Sequence, residues 1–192
     1  MYKPNNYDST QGYRQFRALP PGGYVCQVKK IEEARAKSGA PMLNIWLDIS
    51  EGEHARHYER DYRSDTRADK RWGCIVYQLV GDINGDCSRG LRTFCDAVEA
   101  SNDGFSVEAS WGDMFCDNYK GLLVGGLFRR EQYINSKSEE KWATRCFAFR
   151  PASEVRAGVE TPADKYLEKQ AYDAPTADSF IDLDLDDSEL PF

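Results

Sequence analysis

The spacing of hydrophobic residues predicts a chain built mainly from β-strands. Between residues 42 and 50, apolar side chains occupy the odd positions and mostly polar ones the even positions. This period of two is typical of a strand with one buried face. A strand-like run at residues 24–31 precedes it, and a turn containing Gly39 and Pro41 joins the two. The pattern therefore predicts a long hairpin.

A further alternating stretch, at residues 55–62, predicts another strand. One of its faces would carry Arg56, Tyr58, Arg60 and Tyr62, so that positive charges and aromatic rings follow one another in turn. On a strand, these four side chains would form one basic and aromatic surface. The alternative is that both tyrosine rings pack on the core and leave only their hydroxyls in water.

The second half of the chain predicts one helix and two more strands. Residues 88–100 have apolar positions at helical spacing, with Ser88 as the N-cap. The predicted strands are residues 121–130 and 141–150, and glycines inside the first of them indicate a bulge or sharp curvature. Trp111 and Phe115, between helix and strands, are predicted to be core residues.

About five main strands, with the helix between the third and the fourth, predict a mainly β fold. Their number and order favour an OB-fold-like, five-stranded Greek-key barrel. A small open α+β sheet is the alternative. We predict an N-terminal arm at residues 1–18, the barrel at 19–155, and a flexible linker with an acidic tail at 156–192.

Charge is distributed unevenly along the chain. The net charge is −7, and the last fifteen residues contain six acids and no base. Without these six acids, the rest of the chain has 26 acids against 25 bases, a net charge of −1. A nearly neutral body can still carry a basic face. Clustered like charge predicts that the tail is disordered and solvated.

Several classes of protein are disfavoured by missing motifs. The six cysteines are widely spread without a C-x-x-C pair, which argues against a zinc site and predicts reduced, mostly buried thiols. We find no phosphate-binding loop, G-x-S-x-G or H-E-x-x-H motif, so no enzyme activity, metal or cofactor is expected. No apolar run suits a secretory signal or a membrane span, which predicts a cytoplasmic protein.

The tail ends in an apolar tip after its acids. A terminal Phe offers a partner a ring and a carboxylate at one point, which a basic pocket can capture. A purely solubilising tail is the alternative. The predicted partner-binding residues are Asp186, Asp187, Glu189, Leu190, Pro191 and Phe192.

This tip resembles the acidic tip of bacterial single-stranded-DNA-binding proteins, although Leu190 stands where an isoleucine is usual and Ser188-Glu189 interrupts the acids. The body resembles a phage-encoded family of single-strand-binding-like proteins. The motifs that carry this resemblance are LPPGGYV at 19–25, KSGAPML at 37–43, KGLLVG at 120–125 and FRPASE at 149–154.

The resemblance implies an OB-fold that binds and protects single-stranded DNA in the cytoplasm or nucleoid of a bacterial host. It implies that the barrel acts during phage DNA replication and recombination, and that the tail recruits replication or recombination proteins. It leaves homo-oligomerisation open. The aspartates of the tail could also compete with DNA for the basic face, because carboxylates mimic phosphates.

A single-strand binder needs cations that follow the phosphates and flat rings that stack on bases. Trp46 lies off the apolar stripe of its own strand and is therefore a candidate beside the 55–62 surface. A third group lies near the last two strands. The predicted DNA-binding residues are Trp46, Arg56, Tyr58, Arg60, Tyr62, Arg129, Arg130, Trp142 and Arg145.

The alternative function is a protein–protein adaptor whose tail is a docking peptide. Metal-dependent cleavage of single strands is a third, less favoured function.

Overall fold

A computed structural model describes residues 2, 3, 5, 7, 18–81 and 85–167. The strands are β1 (Gly22–Arg35), β2 (Pro41–Ile49), β3 (Ile75–Leu79), β4 (Leu123–Ile134) and β5 (Glu140–Arg150). The helices are α1 (His57–Ser64), α2 (Arg89–Glu99), α3 (Val107–Ser110), α4 (Phe115–Asn118) and α5 (Ala152–Ala157).

The five strands form one antiparallel sheet in the order β3-β2-β1-β4-β5, which confirms the mainly β prediction. The sheet is open, with β3 and β5 at its edges. The helix α2 lies between β3 and β4 in the chain, as predicted. None of the helices in the described part of the chain combines the length and apolar composition that crossing a bilayer requires.

The strand β1 is long enough to belong to both halves of the sheet. Its first residues, Gly22 to Gln27, pair with β4, and the stretch from Cys26 to Arg35 pairs with β2. A register shift between Val28 and Lys30 adds one residue, Lys29, to the β1 side of the ladder. Such a bulge bends a strand and increases its twist. The bend lets β1 pair with β4 through its first half and with β2 through its second half.

The core lies between the inner face of the sheet and α2. The apolar residues predicted to share one face of β2 are all buried, and Ile45 and Leu47 are fully so. On α2, the buried residues are Leu91, Phe94, Cys95, Ala97 and Val98, and the Ser88 hydroxyl accepts a hydrogen bond from the Leu91 N–H at 3.1 Å. The predicted helix and its N-cap are thus confirmed.

Glycines in β4 allow close packing of α5 and of the neighbouring strand. A Cβ on Gly125 would lie 2.6 Å from Cγ2 of Val155 and 2.7 Å from the carbonyl oxygen of Arg150. The predicted irregularity is present close by, because the β4–β5 register shifts between Leu127 and Phe128. The extra residue, Phe147, is on β5.

The strand predicted at residues 55–62 is wrong, because the chain forms α1 there. The reason lies ten residues earlier in the chain. The buried carboxylate of Asp48 accepts hydrogen bonds from the N–H groups of Tyr58 at 2.9 Å and Glu59 at 3.3 Å. These donors at the start of the helix would otherwise have no partner. Burial raises the pKa of Asp48, and the hydrogen bonds from these amides oppose that rise.

Two further predictions need correction or refinement. Phe115 is buried as predicted, but Trp111 is 52% exposed and stacks on the Phe115 ring at 4.8 Å instead of entering the core. The predicted boundary between barrel and linker at residues 155/156 falls inside α5, and the chain keeps contact with β4 as far as Leu167.

The predicted burial of cysteines holds for half of them. Cys26, Cys74 and Cys95 are buried, Cys116 and Cys146 are half-buried, and Cys87 is exposed. Burial raises the pKa of the Cys26, Cys74 and Cys95 thiols. These three thiols therefore stay protonated at neutral pH and behave as small apolar side chains.

Candidate nucleic-acid interface

A groove of about 1700 Å³ runs between the outer face of β2 and β3 and the edge strand β5. Aromatic and positively charged side chains line both of its walls. The members used below are Lys30, Trp46, Tyr62, Tyr77, Arg145 and Phe147.

The first wall is built by the register of three strands. Lys30, Trp46 and Ile75 lie side by side on β1, β2 and β3, and directly paired residues of an antiparallel sheet share one face. On the next rung of the same face, Tyr77 pairs with Asn44. Lys30 Nζ lies 5.2 Å from the centre of the Trp46 ring, within the range of a cation–π contact. The wall therefore presents two rings and a cation together.

The second wall comes from the β4–β5 hairpin. Arg129 and Arg145 are paired across the two strands and share a face. The Arg129 guanidinium lies 4.3 Å from the Phe147 ring centre, and that of Arg145 lies 5.5 Å from Tyr133. Phe147 is the bulged residue of β5 and is 40% exposed. A bulge redirects a side chain, and here it turns a ring towards the groove.

Each of the two β-bulges of the sheet supplies a side chain that lines the groove. Lys29, the extra residue of β1, also lines the groove. Sequence reasoning missed both Lys29 and Phe147, as well as Lys30 and Tyr77. The register of β3 against β2 and of β5 against β4 would have been needed to find them.

Tyr62 and Trp72 form the end of the groove near α1. Their ring centres are 5.6 Å apart, and Lys70 Nζ lies 4.6 Å from the Tyr62 ring centre. The Trp72 indole N–H donates a hydrogen bond to the Leu47 carbonyl at 2.8 Å, which holds its ring against β2. Tyr62 thus reaches the groove, although it does so from a helix and not from the predicted strand.

The other three members of the predicted 55–62 surface do not join it. Tyr58 is 4% exposed and packs in the core beneath Gly73, and this burial raises the pKa of its hydroxyl. Arg56 precedes α1 in a left-handed conformation (φ 58°), and its Nε donates to Glu59 at 3.0 Å. Arg60 is exposed on α1 and does not line the groove. The helix separates side chains that a strand would have aligned.

The predicted group on the last two strands is divided between two faces of the hairpin. Arg145 and Arg129 lie on the groove face, whereas Arg130 and Trp142 lie on the opposite one, where the Arg130 guanidinium is 5.3 Å from the Trp142 ring centre. There, the Asp164 carboxylate binds Arg130. The Tyr166 ring meets Trp142 edge to face at 5.2 Å.

The predicted partner-binding residues lie outside the described residues. They are Asp186, Asp187, Glu189, Leu190, Pro191 and Phe192.

The described part of the chain has no group of three or more His, Cys, Asp or Glu side chains that could hold a metal ion. Two histidines, His54 and His57, follow β2 in the chain. Burial lowers the pKa of His57, whose Nε2 lies 3.4 Å from Asp61 Oδ2.

Comparison with known proteins identifies one similarity. Residues 5–70 match the model of a family described as "Protein of unknown function (DUF669)". No curated protein matches the chain. The matched region contains β1, β2 and α1, which supply Lys30, Trp46 and Tyr62 to the groove. Over about a third of its length, the chain is therefore similar to a family whose description assigns no function.

Proposed function

We propose that the protein binds single-stranded DNA without sequence preference in the groove between β2–β3 and β5. The observation that carries this proposal is the pairing of cations with exposed or half-buried rings on both walls. Lys30 and Trp46 line one wall, and on the other wall Phe147 lines the groove with the Arg129 guanidinium over its ring.

The chemistry of the groove suits a nucleic acid strand. Lysine and arginine neutralise phosphates and release counterions, so binding of this kind weakens steeply with salt. Stacking of a base on an aromatic ring contributes about 1–3 kcal/mol and accepts any base. Trp46 and Tyr77 occupy neighbouring rungs of one face, so two successive bases could stack there.

We also propose that the sheet is a partly open OB-fold. The strand order β3-β2-β1-β4-β5 and a helix between β3 and β4 are the features that favour it. OB-folds bind oligonucleotides on the face of strands 2 and 3 and with the loops between strands 1 and 2 and between strands 4 and 5. The equivalent loops in this chain are residues 36–40 and 135–139.

The biological role that we propose is the coating of single strands during phage replication or recombination in the bacterial cytoplasm. It draws on the resemblance of the body and of the acidic tip at residues 186–192. In this role, the tail recruits partner proteins through Phe192, and its aspartates compete with DNA for the groove when DNA is absent.

A fluorescence titration with oligo-dT tests the proposed binding. We expect quenching of tryptophan emission, because Trp46 lines the groove, and we expect the affinity to fall steeply as salt is raised. Absence of quenching together with absence of a mobility shift at low salt would refute the proposal. Equal affinity at low and high salt would also contradict it.

An adaptor that binds another protein is the second candidate function. A pocket of about 500 Å³ lies between the β1–β2 hairpin and the start of α4, and Trp111 and Met42 line it. Exposed apolar pockets of this kind suit a protein contact. Oligo-dT binding at physiological salt favours the first function, whereas its complete absence favours this one.

A further inference from the structure

A short piece of the chain's own C-terminal region contacts the face of the β4–β5 hairpin opposite the groove. We call residues 163–167 the C-terminal strap. The N–H of Lys165 donates to the Arg130 carbonyl at 2.8 Å, and the N–H of Gln132 donates to the Lys165 carbonyl at 2.9 Å. The strap thereby adds a short parallel bridge to β4.

The strap takes a sheet edge that β1 leaves open. β1 pairs with β4 only from Leu123 to Phe128. β5 covers the other side of β4 as far as Ile134. Backbone groups on the β1 side of β4 beyond Phe128 can therefore accept an added strand. The strap fills only a part of this edge, with the two backbone hydrogen bonds given above.

Two side chains of the strap contact the hairpin: the Asp164 carboxylate binds Arg130, and the Tyr166 ring packs on Trp142. The Asp164 carboxylate accepts hydrogen bonds from Arg130 Nε, at 3.0 Å to Oδ1 and 3.2 Å to Oδ2, and also contacts Nη2. Tyr166 packs edge to face on Trp142. Arg130 lowers the pKa of Asp164, so its carboxylate stays charged at neutral pH.

This arrangement copies what one nucleotide would offer to the same surface. A phosphate would take the place of the Asp164 carboxylate on Arg130, since arginine binds both groups through the same fork of donors. A base would take the place of the Tyr166 ring on Trp142. On the groove face, Arg145 and Phe147 are exposed, and Arg129 Nε donates a hydrogen bond to Glu131 at 2.8 Å.

We propose that Arg130 and Trp142 form a second subsite for single-stranded DNA, that the C-terminal strap occupies it as an internal mimic, and that DNA displaces the strap. This inference rests on the proposed function and adds a regulated subsite to it. Displacement is feasible because surface ion pairs contribute little to stability, and in this pair the Arg130 side chain is 53% exposed and that of Asp164 19%. The strap then sets the affinity for strands long enough to reach beyond the groove.

The test compares Asp164→Asn with a matched control. Asp164→Asn removes the charge that holds Arg130 without changing side-chain size. Glu51→Gln is the control, because Glu51 makes a similar two-oxygen contact with Arg156, at 3.1 and 2.7 Å. Neither Glu51 nor Arg156 lines the groove. Both variants raise the net charge by one. A difference between their affinities for DNA therefore reports on the strap and not on the change in net charge.

We expect Asp164→Asn to bind oligo-dT longer than about 16 nucleotides roughly threefold more tightly than wild type. We expect the slope of log affinity against log salt to match that of wild type, because Arg130 contacts the same phosphate in both proteins once the strap is displaced. Glu51→Gln should show a smaller gain in affinity and no steeper slope. Adding Arg130→Gln to Asp164→Asn should cancel the gain.

The outcomes separate this inference from the proposed function. If wild type binds oligo-dT but Asp164→Asn matches Glu51→Gln, the groove remains a binding site and the strap inference is wrong. If the gain survives the addition of Arg130→Gln, Arg130 is not the group released and the inference is equally wrong. If no variant binds oligo-dT at any salt concentration, both the proposed function and the subsite are refuted.

Discussion

The two faces of the β4–β5 hairpin carry the same kinds of side chain but differ in what contacts them. On the groove face, Arg129 lies over Phe147 and Arg145 over Tyr133, and Arg145 and Phe147 line the groove. On the other face, Arg130 lies beside Trp142, and the strap contacts both. Moving by one residue along a strand changes the face. A cation near a ring is therefore not sufficient evidence that the cation is available to a phosphate.

The largest expected effect comes from damage to the support that both faces share. Gly125→Val would place side-chain atoms against Val155 and the Arg150 backbone, where even a single Cβ is too close. We expect a loss in the free energy of unfolding at the upper end of about 1–3 kcal/mol, the range typical of overpacking. Urea denaturation measures it.

If Gly125→Val left the urea midpoint unchanged, the close packing of α5 on β4 would be contradicted. The double variant with Val155→Ala is the control. It should recover part of the loss, because it removes one of the clashing groups and leaves the Arg150 carbonyl in place.

A smaller effect, confined to the groove, is expected for Trp46→Ala. Loss of a stacking ring should weaken oligo-dT binding by about tenfold, which corresponds to roughly 1.4 kcal/mol. Trp111→Ala is the matched control, since Trp111 is also accessible but lies away from the groove. Fluorescence anisotropy of a labelled oligonucleotide measures both. Equal losses in the two variants would contradict the assignment of the groove.

The smallest effect should distinguish the two faces directly. Arg145→Gln on the groove face should weaken binding a few-fold and reduce the salt slope by about 0.7, as expected when one phosphate contact is lost. Arg130→Gln in the wild-type background should change binding less, because Asp164 already engages Arg130. Affinity measured over a salt series provides both values. A larger loss of affinity for Arg130→Gln than for Arg145→Gln would contradict the assignment of the main binding site to the groove face.

Local patterns predicted the elements whose structure depends on their own residues. The alternation in β2 correctly separated Trp46 from the buried stripe that contains Ile45 and Leu47. The helical spacing of α2 and its Ser88 cap were also correct. In both cases, the period of the apolar residues matches the period of the element. The information needed was present within about a dozen residues.

The errors occur where a distant residue decides the outcome. The 55–62 pattern suited a strand, but Asp48 of β2 supplies the acceptor that stabilises the start of α1. Trp111 is apolar, yet the short helices α3 and α4 leave it on the surface. Arg130, Trp142 and Arg145 were predicted together only as a group near the last two strands, and the hairpin register places Arg145 on the face opposite to the other two.

By itself, the sequence determined the mainly β composition, the position of α2, the buried stripe of β2 and the concentration of acid at the C-terminal end. Each of these depends on residue type and on short-range period. Only the tertiary structure decided which rings and cations share a groove, which pair the strap contacts, and that Tyr62 enters the groove from a helix. These outcomes depend on strand register, on bulges at Lys29 and Phe147, and on hydrogen bonds between residues far apart in the chain.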